Sequence, residues 1–200
     1  MKTVVLVLTL FASNLFAQGT EHILVHPIFK EYYGCSEHPV GQLQGLGDAL
    51  GADCSVESFP IENGRQFSRS FKNDGHKNED WYSWRKDVLA PIDGVVEEIN
   101  INPVTNEPGI MGKGPASYIV ITRDDGTSVT VAHVMEIAVE KGQRVQAGQV
   151  IAKVGNNGFS SAPHAHIGAF RGQTPLQIRF DLEKMGKLRG QLSLSPSSQR

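Results

Sequence analysis

A mainly β fold, an antiparallel β-sandwich or barrel-like arrangement, is what this sequence predicts, and three observations predict it. Short apolar runs recur from Asp87 onward, several alternating apolar and polar residues in the two-residue period of a half-buried strand. Gly 21 and Pro 10 in 200 residues, scattered between those runs, supply many tight turns and too many breakers for a helical bundle. Asp124-Asp125-Gly126 joins two alternating runs, 118–122 and 128–132, as the turn of a hairpin. Length and composition agree: 40% hydrophobic and 20% charged residues exclude disorder as the dominant state and leave room for one or two packed domains. A net charge of −2 gives no basic excess, so nothing recommends a nucleic-acid partner.

Residues 1–17 form a signal peptide: one basic residue at Lys2, an apolar core over 4–12, and small residues before a cleavage site after Ala17. Ser13 and Asn14 interrupt the run before it could span a bilayer, and no cysteine follows the cleavage region to carry a lipid anchor. The mature chain is therefore expected outside the cytoplasm, periplasmic or secreted, with no membrane anchor. An N-terminal segment over 18–66 comes next. It holds a short strand pair over 22–33 broken by Pro27, then a Gly-rich, Cys-bounded stretch over 34–55 with a helix at 42–50. Cys35 and Cys54 are the two cysteines of the chain, and an oxidising compartment makes a disulfide their default state; the plain alternative is two unpaired buried thiols. Residues 62–78 are polar, with turns at Asn63-Gly64 and Asp74-Gly75 and one strand at 67–71. The strand-rich domain then runs over 67–183, through DVLAP, DGVVEEINI, ASYIVITRDDG, TSVTVAHV, AVEKGQRVQAGQVIAKVGNNG and HAHIGAF. A polar, Ser-rich mobile tail is expected over 184–200.

The residues that could do chemistry are histidines. Pro163-His164-Ala165-His166 follows a Gly-rich turn, and residues two apart on a strand share a face, so His164 and His166 present both imidazoles to one site. His76 and Asp80, four apart, can converge from a turn to offer one nitrogen and one oxygen to a metal, although taken alone a solvated polar loop is the simpler reading of them. His133 ends the apolar run Val129-Thr130-Val131-Ala132, where a lone histidine is more often a hydrogen-bonded strand residue. His22, His26 and His38 belong to none of these clusters and read as structural or surface residues.

In their order, H-x-x-x-D, a hairpin ending in A-H-V, G-Q-x-V-x-x-G-Q-x-I and P-H-x-H, these motifs resemble the lysostaphin-like (LytM-type) zinc endopeptidases. The resemblance covers about 67–170 and includes the run APIDGVVEEI. It implies a duplicated hybrid motif fold, preceded here by the small disulfide-stapled N-terminal segment. It also implies that His76, Asp80 and His166 bind one zinc and that His133 and His164 line its open side as the catalytic pair. The implied activity is that of an exported zinc metalloendopeptidase, a peptidoglycan hydrolase that cleaves an amide bond in cell-wall peptide cross-links through a zinc-activated water. Peptidoglycan peptide stems or cross-bridges are the implied partners. The chain departs from the family's usual residues at Asn78, Val131 and Ala165, none of them an implied ligand. Similar Gly-Gln phrases build the β-folds of biotinyl, lipoyl and phosphotransferase carrier domains, so that stretch argues fold and not function. The alternative from another class is a non-catalytic or latent protein of the same fold that binds peptidoglycan or regulates a hydrolase, the front segment being one way to hold it latent.

Overall fold

The computed structural model describes residues 20–193. The signal peptide expected at 1–17 and the last part of the expected tail, 194–200, lie outside the described residues. In chain order the strands are β1 (His22–Val25), β2 (Tyr33–Glu37), β3 (Ala52–Val56), β4 (Ile61–Glu62), β5 (Arg65–Gln66), β6 (Asp87–Leu89) and β7 (Gly94–Asn100). They continue with β8 (Tyr118–Thr122), β9 (Thr127–Ala132), β10 (Val134–Met135), β11 (Arg144–Val145), β12 (Val150–Val154), β13 (Ala165–Arg171) and β14 (Thr174–Phe180), and one helix, α1 (Leu182–Ser193), follows. The main sheet runs β1-β14-β13-β9-β8-β7-β11, with β3 also paired to β13 and β2 to β3, and a small sheet runs β10-β12-β6. All pairings are antiparallel except β1 with β14. The mainly β expectation is met, and the hairpin at Asp124-Asp125-Gly126 joins β8 to β9 with Tyr118 opposite Ala132.

The alternation in the sequence separates two faces. Ile119 and Ile121 of β8, Val129 and Val131 of β9, and Ile167 and Ala169 of β13 point into the core, each fully buried. The residues between them, Tyr118 and Val120, Thr130 and Ala132, and His166 and Phe170, line a groove on the opposite face. Apolar burial on one side therefore fixes the register that presents the groove residues on the other, since a slip of one residue would exchange the two sets.

The front segment is part of this sheet. β3 pairs with β13 and β1 with β14, and Ile23, Val25, Ile28, Phe29, Cys54 and Val56 belong to the common core. Cys35 and Cys54 face each other across β2 and β3 and form the expected disulfide. The helix expected at 42–50 is replaced by turns: Gly47 and Leu50 take left-handed φ values of 89° and 60°, which an α-helix cannot accommodate. The strand expected at 67–71 is reduced to two isolated bridges, Ser58 with Arg69 and Phe71 with Trp81. At the other end the chain forms α1 where a mobile tail was expected. Asp181 caps it, its carboxylate accepting from the Lys184 backbone N–H at 3.0 Å, and the Arg189 guanidinium sits 4.4 Å over the Tyr32 ring. Among the described residues no helix is long and apolar enough to cross a membrane.

Candidate metal centre

Strand β13 lies between β3 and β9, and its register sets Asp53 opposite His166 on one side and Ala132 opposite His166 on the other. Residues directly opposite in an antiparallel pair project on the same face. Asp53 and His166 therefore meet in the groove: Asp53 Oδ1 lies 2.9 Å from His166 Nδ1. His38 follows β2 and is tied across the hairpin by its backbone N–H, which donates to the Gly51 carbonyl at 2.8 Å. Its Nε2 stands 3.4 Å from Asp53 Oδ2, and its ring stacks on that of His166 with centroids 5.2 Å apart. Among the described residues, His38, Asp53 and His166 form the one trio of His, Cys or acidic side chains whose ligand atoms all lie within 4.8 Å of one another.

Two further histidines border the trio. His164, two residues before His166, places Nε2 3.6 Å from Asp53 Oδ1. His133 directly follows β9 and packs against His164 with ring centroids 4.5 Å apart and the planes tilted by 43°. Its backbone is left-handed, with φ of 60°, a conformation that costs a non-glycine residue and turns the ring out of the strand line. Each of the two donates an Nδ1–H to a main-chain carbonyl at 2.8 Å, His133 to Asn157 and His164 to Ala162; this leaves His133 Nε2 bare, while His164 Nε2 faces the Asp53 carboxylate. A polar network stands behind His164: Ser160 Oγ donates to Asn156 Oδ1, and Asn156 Nδ2 donates to Asn78 Oδ1, each at 2.9 Å.

The charges follow from these contacts in the metal-free protein. Burial pushes the Asp53 carboxyl up, but its hydrogen bonds to His164 and His166 outweigh that and hold it well below the usual carboxylate range. Burial, reinforced by repulsion from His164, pushes His133 down to about 3, so this imidazole is neutral. Burial alone would lower His166, yet Asp53 and the Gly47 carbonyl keep it above the ordinary imidazole value.

The sequence-predicted residues divide cleanly. The structure brings His133, His164 and His166 together but does not bring His76 and Asp80 to them. His76 is exposed, and its backbone N–H donates to Asp74 Oδ1 at 3.1 Å. The Asp80 carboxylate is buried and spent on its own turn, accepting from Asn73 Nδ2 at 2.7 Å and from the Lys77 backbone N–H at 3.3 Å. His38 and Asp53 stand beside His166 where His76 and Asp80 were expected, so His38, read from the sequence as structural or surface, is half-buried at the groove. Two imidazoles and one carboxylate are a donor set that fits a divalent metal such as zinc. Ligand bonds of about 2.0–2.2 Å at tetrahedral angles separate ligand atoms by about 3.3–3.6 Å, and the ligand atoms of the trio lie within 4.8 Å of one another.

The chain is 28% identical over 110 residues to an uncharacterized metalloprotease of Haemophilus influenzae, a stretch covering 54% of this chain and 21% of that protein. It thus spans about a fifth of the length of that curated relative. Among solved structures it is similar to the lysostaphin catalytic domain of Staphylococcus simulans, with 19% identity, 72% of this chain and 86% of that one covered, and a TM-score of 0.43. It is likewise similar to a zinc-containing peptidase of Vibrio cholerae, with 19% identity, 63% and 48% covered, and a TM-score of 0.38. The profile of peptidase family M23 matches residues 76–178, a span that holds His133, His164 and His166 but begins after His38 and Asp53. Matched over more than half its length, the chain belongs to peptidase family M23.

Proposed function

We propose that the protein is an exported zinc endopeptidase that hydrolyses an amide bond in the peptide part of peptidoglycan. The observation that carries this reading is the convergence of His38, Asp53, His166, His133 and His164 at one groove. A divalent metal held by His38, Asp53 and His166 would supply a Lewis acid for the scissile carbonyl and lower the pKa of a water bound to it.

The remaining work falls to this chain's own side chains. His133 is neutral and has its Nδ1–H fixed on Asn157, so its Nε2 is free to accept the proton of an attacking water. His164, with Nε2 beside the Asp53 carboxylate, is the ring that can bear a proton, either toward the oxyanion or to the leaving amine. Asp53 stays ionised and balances positive charge at the site. The groove, about 720 Å³, has apolar walls from Leu43, Leu46, Met111 and Phe159, and among its described lining residues there is no Lys or Arg. That lining suits an extended peptide with small or apolar side chains.

Purified sacculi incubated with the protein, with and without a zinc chelator, test the reading. Loss of cross-linked fragments that the chelator abolishes is the expected result, and product masses name the bond. Unchanged sacculi with a folded, zinc-containing protein would remove the peptidoglycan assignment.

A further inference from the structure

The glycine-rich loop between β2 and β3 touches the candidate metal ligands through its main chain. The His166 Nε2–H donates to the Gly47 carbonyl at 2.8 Å, and the His38 Nδ1–H donates to the next carbonyl, that of Asp48, at 3.1 Å. Two consecutive peptide groups thus each hold the far nitrogen of one imidazole, which leaves His166 Nδ1 and His38 Nε2 to face Asp53. The loop reaches this position only because side chains are missing. A Cβ on Gly168, which shares the groove face of β13 with His166, would lie 1.6 Å from the Gly47 oxygen, and one on Gly51 would lie 2.7 Å from His166 Cε1 and 3.0 Å from the Asp48 oxygen. Gly47 is itself left-handed, with φ of 89°, which aims its carbonyl at the ring.

We propose that Gly168 and Gly51 are positioning residues of the metal site: their bare Cα atoms let the Gly47-Asp48 carbonyl pair dock on the two imidazoles and fix which ring nitrogen of each faces the metal. The proposal rests on the reading of His38, Asp53 and His166 as ligands. A histidine ligand whose second nitrogen is hydrogen-bonded is held in one tautomer and one orientation, and loss of such a partner lowers metal affinity by about 10- to 100-fold. The docked loop precedes the residues matched by the family, whereas Gly168 lies within them.

The test uses the whole mature protein and zinc alone, with affinity from competition against a chromophoric chelator and ring protonation from long-range nitrogen–proton NMR of the zinc-loaded wild type. The expected spectrum has the proton on Nε2 of His166 and on Nδ1 of His38. The expected Gly168→Ala protein has unchanged near-ultraviolet circular dichroism, about 10- to 100-fold weaker zinc binding, and an altered cobalt absorption spectrum. Gly51→Ala should shift in the same direction. Opposite ring protonation in the zinc-loaded wild type overturns the proposal even if Gly168→Ala fails to fold, and so does a folded Gly168→Ala that keeps wild-type zinc affinity and cobalt spectrum. A wild type that binds no zinc overturns the ligand reading itself, and is distinguishable because it fails before any variant is made.

Discussion

Two histidine–aspartate pairs in this chain invite comparison. His76 and Asp80 stand four apart inside the family-matched region, and His38 and Asp53 stand 15 apart ahead of it. The close pair has the spacing a ligand motif needs, yet its aspartate closes its own turn and its histidine faces solvent. The distant pair has no recognisable spacing, yet hairpin pairing and the β3–β13 register carry it to His166. Spacing along a chain limits which atoms can meet; the hydrogen bonds of neighbouring strands decide which do.

The sharpest way to break this comparison is to remove the members of the distant pair one at a time. His38→Ala and Asp53→Ala should weaken zinc binding by more than the roughly 10- to 100-fold that loss of an outer hydrogen-bond partner costs, read by chelator competition, with hydrolysis lost in parallel. His133→Ala and His164→Ala come next. Each should keep the metal while the rate falls about 100- to 10,000-fold, and a His133→Ala protein of normal rate would remove its role.

How much of this was legible beforehand can be stated residue by residue. The hairpin of β8 and β9 was legible because alternation and a turn tripeptide are local signals. His133, His164 and His166 were legible because they end or begin strands beside glycine-rich turns. Asp53 was not, because its partner lies 113 residues away and only strand register joins them. A signal did exist: His38 stands three residues after Cys35 and Asp53 immediately before Cys54, so the disulfide that the two cysteines suggest already draws both toward one hairpin end. The helix α1 was missed for the converse reason, a polar composition concealing the Asp181 cap.

Proton competition sharpens the comparison further. Burial alone would lower His166, but Asp53 and the Gly47 carbonyl hold its proton above the ordinary imidazole value in the metal-free protein. A metal must displace that proton, so affinity should rise with pH by about tenfold per unit until His166 titrates. Asp53, held well below the carboxylate range, stays ionised through that window, and measured affinity against pH should show no additional carboxylate step there. Reducing the Cys35–Cys54 bridge should cost smaller but measurable stability, about 3 kcal/mol on the chain-entropy account, with weaker metal binding as the ends of the hairpin separate. The smallest effects belong to the close pair. His76→Ala should leave zinc affinity unchanged, and Asp80→Ala should cost about 1–3 kcal/mol of stability as its turn loses an acceptor, with affinity again unchanged in the folded fraction.

The pairing of Asp53 with His166 has a consequence of mass action. A metal held there would join the β2–β3 hairpin to strand β13, far along the chain, and it would bind the native arrangement in preference to an unfolded one. Free metal concentration would then act on folding as well as on chemistry, raising stability by about 1.4 kcal/mol for each tenfold excess over the dissociation constant.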